Sequence, residues 1–369
     1  MKRVLVALSA GATVLLAACG GNTGAANPST GGPGVPTPPQ ASLTGAGATF
    51  PAPFYDAARY AYTLKFSQVT VNYQPIGSGA GIQQLTRKTV DFGASDVPLK
   101  ASEAAAMGGS AAVVQIAGTL GTESLAYNLR GVATGQLKLT PDTIAGIFLG
   151  TIKTWNDPAL AADNSGVSLP NQPITVVHRS DGSGTTYIFT DYLSNVNADW
   201  KSKVGTGKSV SWPAGQGASG NAGVATTIQH TPGAIGYVEL AYVLQTSMTQ
   251  AALKNHDGNF VIPSPEGATA AASQFLAVGP TQFSIVNAPG KDSAPISGYS
   301  WLMLYKDQPD KTKGTALVDF FDWLVTDGQQ YATTVHYAKL PSTIVRDDIN
   351  ALKTVTSGGS TLLNVPAPS

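Results

Sequence analysis

Residues 174–196 read Ile174-Thr175-Val176-Val177-His178-Arg179-Ser180-Asp181-Gly182-Ser183-Gly184-Thr185-Thr186, followed by YIFTDYLSNV. Apolar, β-branched residues over Ile174–His178 predict a strand, the small polar residues a tight loop, and Tyr187–Val196 an amphipathic helix. Two earlier segments share this order. Val69–Gln74 predicts a strand, Ile76-Gly77-Ser78-Gly79-Ala80-Gly81 a loop, and IQQLTRK a helix. Before it, Ser42-Leu43-Thr44-Gly45-Ala46-Gly47-Ala48-Thr49-Phe50-Pro51 runs into PAPFYDAARYAYTLKF. There Thr49 is expected as helix N-cap, with Pro51 tolerated in the first turn because its missing N–H would be unpaired anyway.

Working outward, further strands are expected at Asp91–Ser95, Ser124–Asn128, Ala234–Glu239 and Tyr299–Tyr305. Helices are expected at Pro141–Leu149 and Thr315–Thr326. Apolar strands alternating with amphipathic helices predict an α/β architecture with mostly parallel sheets. No repeat accompanies the shared pattern, so these are independent βα units and not a solenoid.

The chain has 369 residues, enough for two lobes of ordinary size. Lys plus Arg and Asp plus Glu each total 22, which excludes a basic nucleic-acid footprint and an acidic tail. Charged residues are 12% of the chain, while Gly numbers 41 and Pro 24, so a binding site is expected to be built largely from backbone and hydroxyl groups.

The N-terminus predicts export. Lys2 and Arg3 precede an apolar run from Val4 to Leu16, too short to span a bilayer but suited to a signal peptide. Leu16-Ala17-Ala18-Cys19 then resembles a bacterial lipoprotein cleavage box, so residues 1–18 are expected to be removed and Cys19 to carry lipid. Cys19 is the single cysteine, which excludes an internal disulfide. Residues 19–40 continue as GGNTGAANPSTGGPGVPTPPQ after the cysteine, a stretch too poor in apolar residues to fold and expected to act as a tether.

Helix N-termini leave backbone N–H groups unpaired and carry partial positive charge, so several converging on one point would bind an anion. Arg179 is the fixed cation of these loops, and its planar fork suits a tetrahedral oxyanion. Asp181 reads equally well as the group that orients this guanidinium or as a turn residue. Asp96, just past a short strand, is the informative residue. An ionised carboxylate only accepts hydrogen bonds, so it favours an anion that still carries a proton. Hydrogen phosphate meets that condition, whereas sulfate would face an unpaired buried carboxylate at a cost of several kcal/mol.

GAGATFPAP, IGSGAGI, DFGASDVPL, HRSDGSGTTYIFT, GVATTIQHTPGAIGYVE and LVDFFDWLV stand here in one order. In that order the chain resembles the periplasmic phosphate-binding proteins of the phosphate ABC importer, within the type II periplasmic binding protein superfamily. The similarity covers residues 41–345. It implies two α/β lobes, each a mixed, mostly parallel sheet flanked by helices, joined by a two-segment hinge and closing on phosphate. It implies no metal and no cofactor. Residues 41–118 and 298–369 would form one lobe and 119–297 the other. Thr49, Phe50 and Ser78 would donate to phosphate from the first lobe and Asp96 would accept its proton. Arg179, Ser183, Gly184 and Thr185 would donate from the second. Implied partners are inorganic phosphate, as hydrogen phosphate or dihydrogen phosphate, the importer's permease subunits and a membrane reached through the lipid anchor, with the protein itself a monomer. His178 departs from the pattern, since relatives often carry a second basic residue there.

Other chemistries fit less well. Asp181-Gly182-Ser183-Gly184-Thr185 lacks the outer glycines of a nucleophile elbow, and none of the four histidines has a context pairing it with a nucleophile. No Walker lysine follows a glycine loop, and Asp91-Phe92-Gly93 stands without the other kinase elements. Trp155, Trp212, Trp301 and Trp323 fit a core better than a sugar platform. Among oxyanions, Asp96 speaks against sulfate and molybdate, while arsenate would be rejected only weakly.

Overall fold

The computed structural model describes residues 37–275 and 277–363; Cys19, the expected leader and most of the tether lie outside them. β1 (Ala41–Gly47) pairs in parallel with β2 (Val69–Pro75) and β3 (Phe92–Ser95). Parallel neighbours need a crossover, and α1 (Ala52–Lys65) and α2 (Ser78–Thr86) provide the two. β2 buries Val69, Val71 and Tyr73 and exposes the residues between, as expected of an edge strand covered on one face.

After α3 (Ala101–Ala106) comes β4 (Val113–Tyr127), a strand of 15 residues. Then follow β5 (Lys138–Leu139), α4 (Pro141–Phe148), α5 (Pro158–Asp163) and β6 (Thr175–Arg179). The chain continues through α6 (Gly184–Val196), α7 (Ala198–Lys203), β7 (Gln216–Ala218), α8 (Gly220–His230) and β8 (Ala234–Glu239). After α9 (Leu240–Gln245) come β9 (Thr249–Gln250), β10 (Ala252–Lys254), β11 (Phe260–Val261) and α10 (Pro265–Ala272). β12 (Ser297–Tyr305), α11 (Lys311–Val325) and α12 (Ser342–Leu352) complete the main elements.

The main ladder runs β2-β1-β3-β12-β4-β8-β6-β7, with β9 on β4. Its two ends are parallel, β2-β1-β3 and β8-β6-β7, while the middle, β3-β12-β4-β8, is antiparallel. Two α/β halves therefore share two long strands. β4 pairs with β12 over Val113–Thr122 and then with β8 over Glu123–Tyr127. The strand expected at Ser124–Asn128 is only the end of β4. Because β4 is buried on both faces, it shows no alternation that a periodicity reading could detect.

Where the two halves meet, the ladder slips. Ser300 faces Thr119 while Trp301 faces Ala117, leaving Gly118 as the extra residue of a bulge. A Cβ at Gly118 would stand 2.6 Å from the Tyr55 hydroxyl and 2.9 Å from Leu302 Cδ1, so only glycine fits.

Each half packs its own aromatic group. Tyr62, Tyr73, Phe92, Phe320 and Phe321 meet beneath β1–β3, with ring centroids 5.0–6.5 Å apart. Phe148, Phe189, Trp200, Trp212 and Tyr237 do the same beneath β6 and β8. Trp155, Trp301 and Trp323 are buried core residues, and the half-buried Trp212 packs against the core, stacked on His178 and Tyr237. Burial lowers the His178 pKa and favours its neutral form, so this position adds no second cation beside Arg179.

Candidate functional site

Four helix starts lie at the C-terminal ends of parallel strands, where open α/β sheets collect ligand groups. β1 leads to the turn Thr49-Phe50-Pro51 and α1, β2 to Gly77 and α2, β6 to the Ser180–Ser183 loop and α6, and β7 to Ser219 and α8. Thr49 is not the N-cap of α1. Pro51 occupies that position, and the Thr49 hydroxyl turns away to accept from the main-chain N–H of Asn221 at 3.2 Å and from its Nδ2 at 3.0 Å. The turn is pinned from behind: Tyr242 donates to the Thr49 carbonyl at 2.7 Å and Tyr337 to the Phe50 carbonyl at 2.6 Å. The Phe50 ring is fully buried.

Ser78 is the first residue of α2, with Gly77 at φ 95° as its cap. Its hydroxyl oxygen accepts from the Gly184 N–H at 3.0 Å and from the Asp96 N–H at 3.3 Å. The second and third loops also meet through Gly79 N–H donating to the Gly182 carbonyl at 2.8 Å. Gly184 is required by this approach, since a Cβ there would lie 2.5 Å from the Asp96 Cβ. Ser183 caps α6, its hydroxyl oxygen accepting from Thr186 N–H at 3.0 Å, while its own N–H donates to the Lys208 carbonyl at 2.8 Å. The expected backbone donors of Ser183 and Gly184 therefore already have protein acceptors. Of the two, only Ser183 retains an uncommitted donor, its hydroxyl hydrogen.

Arg179 ends β6 with 3% of its surface exposed. Its Nε donates to Asp181 Oδ1 at 2.7 Å, Nη2 to Asp181 Oδ2, and Nη1 to the Thr185 hydroxyl at 3.2 Å. Asp181 also accepts from Gly220 N–H at 3.0 Å. The choice left open by the sequence is settled: Asp181 orients the guanidinium. Burial raises the Asp181 pKa, but the hydrogen bond and charge of Arg179 outweigh it, and the carboxylate stays ionised below its usual range.

Asp96 behaves in the opposite way. It is 2% exposed, and its Oδ1 accepts from Ser300, at the β12 bulge, at 2.7 Å. Oδ2 is buried with no partner. Burial pushes its pKa up to about 7, against the opposing effects of the Ser300 hydrogen bond, the Arg179 charge and the nearby Thr185 main-chain N–H. An acceptor oxygen with an unmet hydrogen bond, beside a ring of N–H and O–H donors, suits a ligand that is an anion over most of its surface and a donor at one point.

Ser78, Asp96 and Gly184 thus form one hydrogen-bonded group and Thr49, Arg179 and Thr185 another, held through Asn221; the two meet along the chain at Gly184–Thr185, with Phe50 and Ser183 adjoining them. Sequence reading missed Asn221, which joins Thr49 to Thr185: its Nδ2 donates to both hydroxyls, to Thr185 at 3.1 Å. The signal existed as a fourth strand–loop–helix, but its strand is only Gln216–Ala218 and shows no apolar pattern. Also missed were Ser300 and the buried pair Glu123 and Glu239, which stand opposite each other on β4 and β8. Burial first, and then the neighbouring Asp96, drive both glutamates well above the usual carboxyl range, which favours their neutral forms. Among the described residues no group of three or more His, Cys, Asp or Glu is placed to hold a metal.

A family model described as a PBP superfamily domain matches residues 30–327. The phosphate-binding protein PstS of Pasteurella multocida is 44% identical over 309 residues, covering 83% of this chain and 88% of that protein. Its namesake in Methanocaldococcus jannaschii is 33% identical over 332 residues, covering 84% and 85%. Among solved structures, a high affinity periplasmic phosphate-binding protein bound with phosphate (PfluDING) has a TM-score of 0.65 at 21% identity, covering 86% of this chain and 99% of that one. The ancestral soluble variant of the human phosphate-binding protein has a TM-score of 0.67 at 20% identity, covering 87% and 96%. At such identities the structural likeness speaks to the fold alone, a two-lobed α/β arrangement.

Proposed function

The chain belongs to the family of periplasmic phosphate-binding proteins of the phosphate ABC importer, and from this premise we propose that it captures hydrogen phosphate outside the cytoplasm and hands it to the importer's permease subunits. It is a binding protein of a transport system, not an enzyme. The observation that carries the ligand assignment is Asp96 Oδ2, a buried acceptor without a partner amid the hydroxyl donors and the Arg179 fork. Hydrogen phosphate supplies the one proton this oxygen lacks. Thr49, Phe50 and Ser78 donate from one side and Arg179, the Ser183 hydroxyl and Thr185 from the other, while Gly184 donates only by exchanging its present acceptor, the Ser78 hydroxyl, for the anion.

The lobes are residues 41–118 with 298–369 and residues 119–297, and the bulge at Gly118 supports a hinge there. Phosphate favours the closed form because only that form offers both sets of donors. The protein acts as a monomer, held at a membrane surface by lipid on Cys19, and the cleft needs no metal to bind its anion.

Calorimetry on ligand-stripped protein tests the assignment. One phosphate is expected per chain without added metal, and heat with sulfate but none with phosphate would overturn the reading. For the anchor, Cys19→Ser should move the protein from the membrane fraction to the soluble fraction. Retention at the membrane would sink that part.

A further inference from the structure

Nine ion pairs form among the described residues, and eight of them stay within one of the two lobes proposed above. The ninth crosses between them. Lys208 Nζ donates to Glu103 Oε1 at 2.5 Å, from the segment between α7 and β7 to α3. The two side chains are 10% and 23% exposed, so solvent and salt screen this attraction far less than that of a surface pair. Other polar contacts between the lobes, such as Gly79 N–H to the Gly182 carbonyl and the Tyr242 hydroxyl to the Thr49 carbonyl, join neutral groups.

Both partners are held from a second direction. The Lys208 carbonyl accepts from Ser183 N–H at 2.8 Å, and Gly207 N–H donates to the Thr190 hydroxyl at 3.1 Å, which ties this segment to α6. Glu103 Oε2 accepts from Lys100 N–H at 2.9 Å, which fixes the carboxylate at the start of α3. Burial lowers the Lys208 pKa, and the hydrogen bond and charge of Glu103 oppose it. The ammonium is therefore costly where it stands unless the carboxylate faces it. Parting the lobes would return both groups to water, so their attraction counts only in the closed arrangement.

We infer that Lys208 and Glu103 form an interlobe latch: positioning residues outside the proposed anion contacts that prolong the stay of bound phosphate by stabilising closure. The inference rests on the two-lobed phosphate reading above. Lys208 belongs to the segment that holds the cap of α6, and Glu103 lies on the first helix after Asp96. The latch thus joins the arm that carries Ser183 to the arm that carries Asp96. Its energy acts on the opening step. Release, which requires opening, is slowed, while capture by the open form is not.

Stopped-flow measurement of phosphate association and release on the full chain tests this, with Glu103→Gln and Lys208→Met. Both variants keep the main chain that holds Ser183, and Glu103→Gln keeps an amide oxygen for Lys100 N–H. Each should release phosphate roughly tenfold faster, between the effect of breaking an exposed pair and that of breaking a buried one, with association nearly unchanged. Because either variant already breaks the pair, the double variant should release no faster than the faster single one. Two charges acting on the anion only through space would have opposite effects: Glu103→Gln would slow release and Lys208→Met would speed it. That outcome overturns the inference, as do unchanged release rates or single effects that add in full. Release is read only from molecules that have bound phosphate, so partial misfolding lowers the amplitude and not the rate. Wild-type protein that binds no phosphate defeats the phosphate reading instead, and the inference with it.

Discussion

The loop after β6 and the loop after β3 contribute one aspartate each to the same cleft, and the two aspartates titrate in opposite directions. Asp181 lies against Arg179, so its carboxylate is stabilised below the usual range, while Asp96 has lost its water without gaining a cation of its own and is raised to about 7. The difference assigns them different work. Asp181 aims the positive charge, and any tetrahedral anion benefits from that. On the proposed function Asp96 tests for a proton, and only some anions carry one. Affinity and selectivity would then have separate residues, although both aspartates stand just past the end of a strand.

The sharpest way to break this comparison is Arg179→Ala. It removes the only cation hydrogen-bonded to Asp181 among the described residues, and losing one partner of a buried pair costs about 3–5 kcal/mol. Phosphate and sulfate should weaken together, by roughly a thousandfold, in a competition series. A loss confined to phosphate would show that the guanidinium, not Asp96, selects.

Asp96→Asn comes next. An amide can donate where the carboxylate cannot, so sulfate should gain while phosphate loses a charge-assisted hydrogen bond worth about 1.5–3 kcal/mol. The phosphate-to-sulfate ratio from calorimetry should collapse, and an unchanged ratio would remove Asp96 from its role.

A smaller effect concerns the ligand-free protein. With its folded-state pKa raised to about 7 from an ordinary 3.8, Asp96 holds a proton in that window that the unfolded chain has released. Stability therefore rises as pH falls from about 7 towards the ordinary carboxyl range, and is lost again as pH climbs through about 7. Glu123 and Glu239 act in the same sense, whereas Asp181, with a lowered pKa, loses its contribution only at more acid pH. Melting temperature of the ligand-free protein should increase on mild acidification, and Asp96→Asn should flatten that rise.

The smallest change is expected for Glu123→Gln. Both carboxyl oxygens of Glu123 are buried without partners, so a neutral amide should leave phosphate affinity within about twofold and change stability by less than about 1 kcal/mol. A large loss of affinity would place a negative charge at Glu123 and redraw the contrast between the two arms.

Much of this molecule was readable from one dimension. Parallel βα units announce themselves by local order, an apolar run, a glycine loop and an amphipathic helix, so β1, β2, β6 and their helices were legible. β8 was placed at its observed bounds. Thr49, Ser78, Asp96, Arg179 and Thr185 stood at the ends of those units, where ligand groups gather. The full extent of β4 was not legible, because a strand buried on both faces has no alternation. Asn221 was hidden behind a three-residue strand, and Ser300 gains its meaning only from a bulge opposite Gly118.

Local chemistry along the chain therefore determined which residues are donors, which is the cation and which carboxylate favours a protonated anion, since these are properties of side chains and helix starts. Only the tertiary structure decided which groups meet the hydroxyl oxygens and which aspartate stays ionised. Lone pairs are filled and pKa values are moved by neighbours distant in sequence, and here Asn221 lies 172 residues from the Thr49 hydroxyl it donates to.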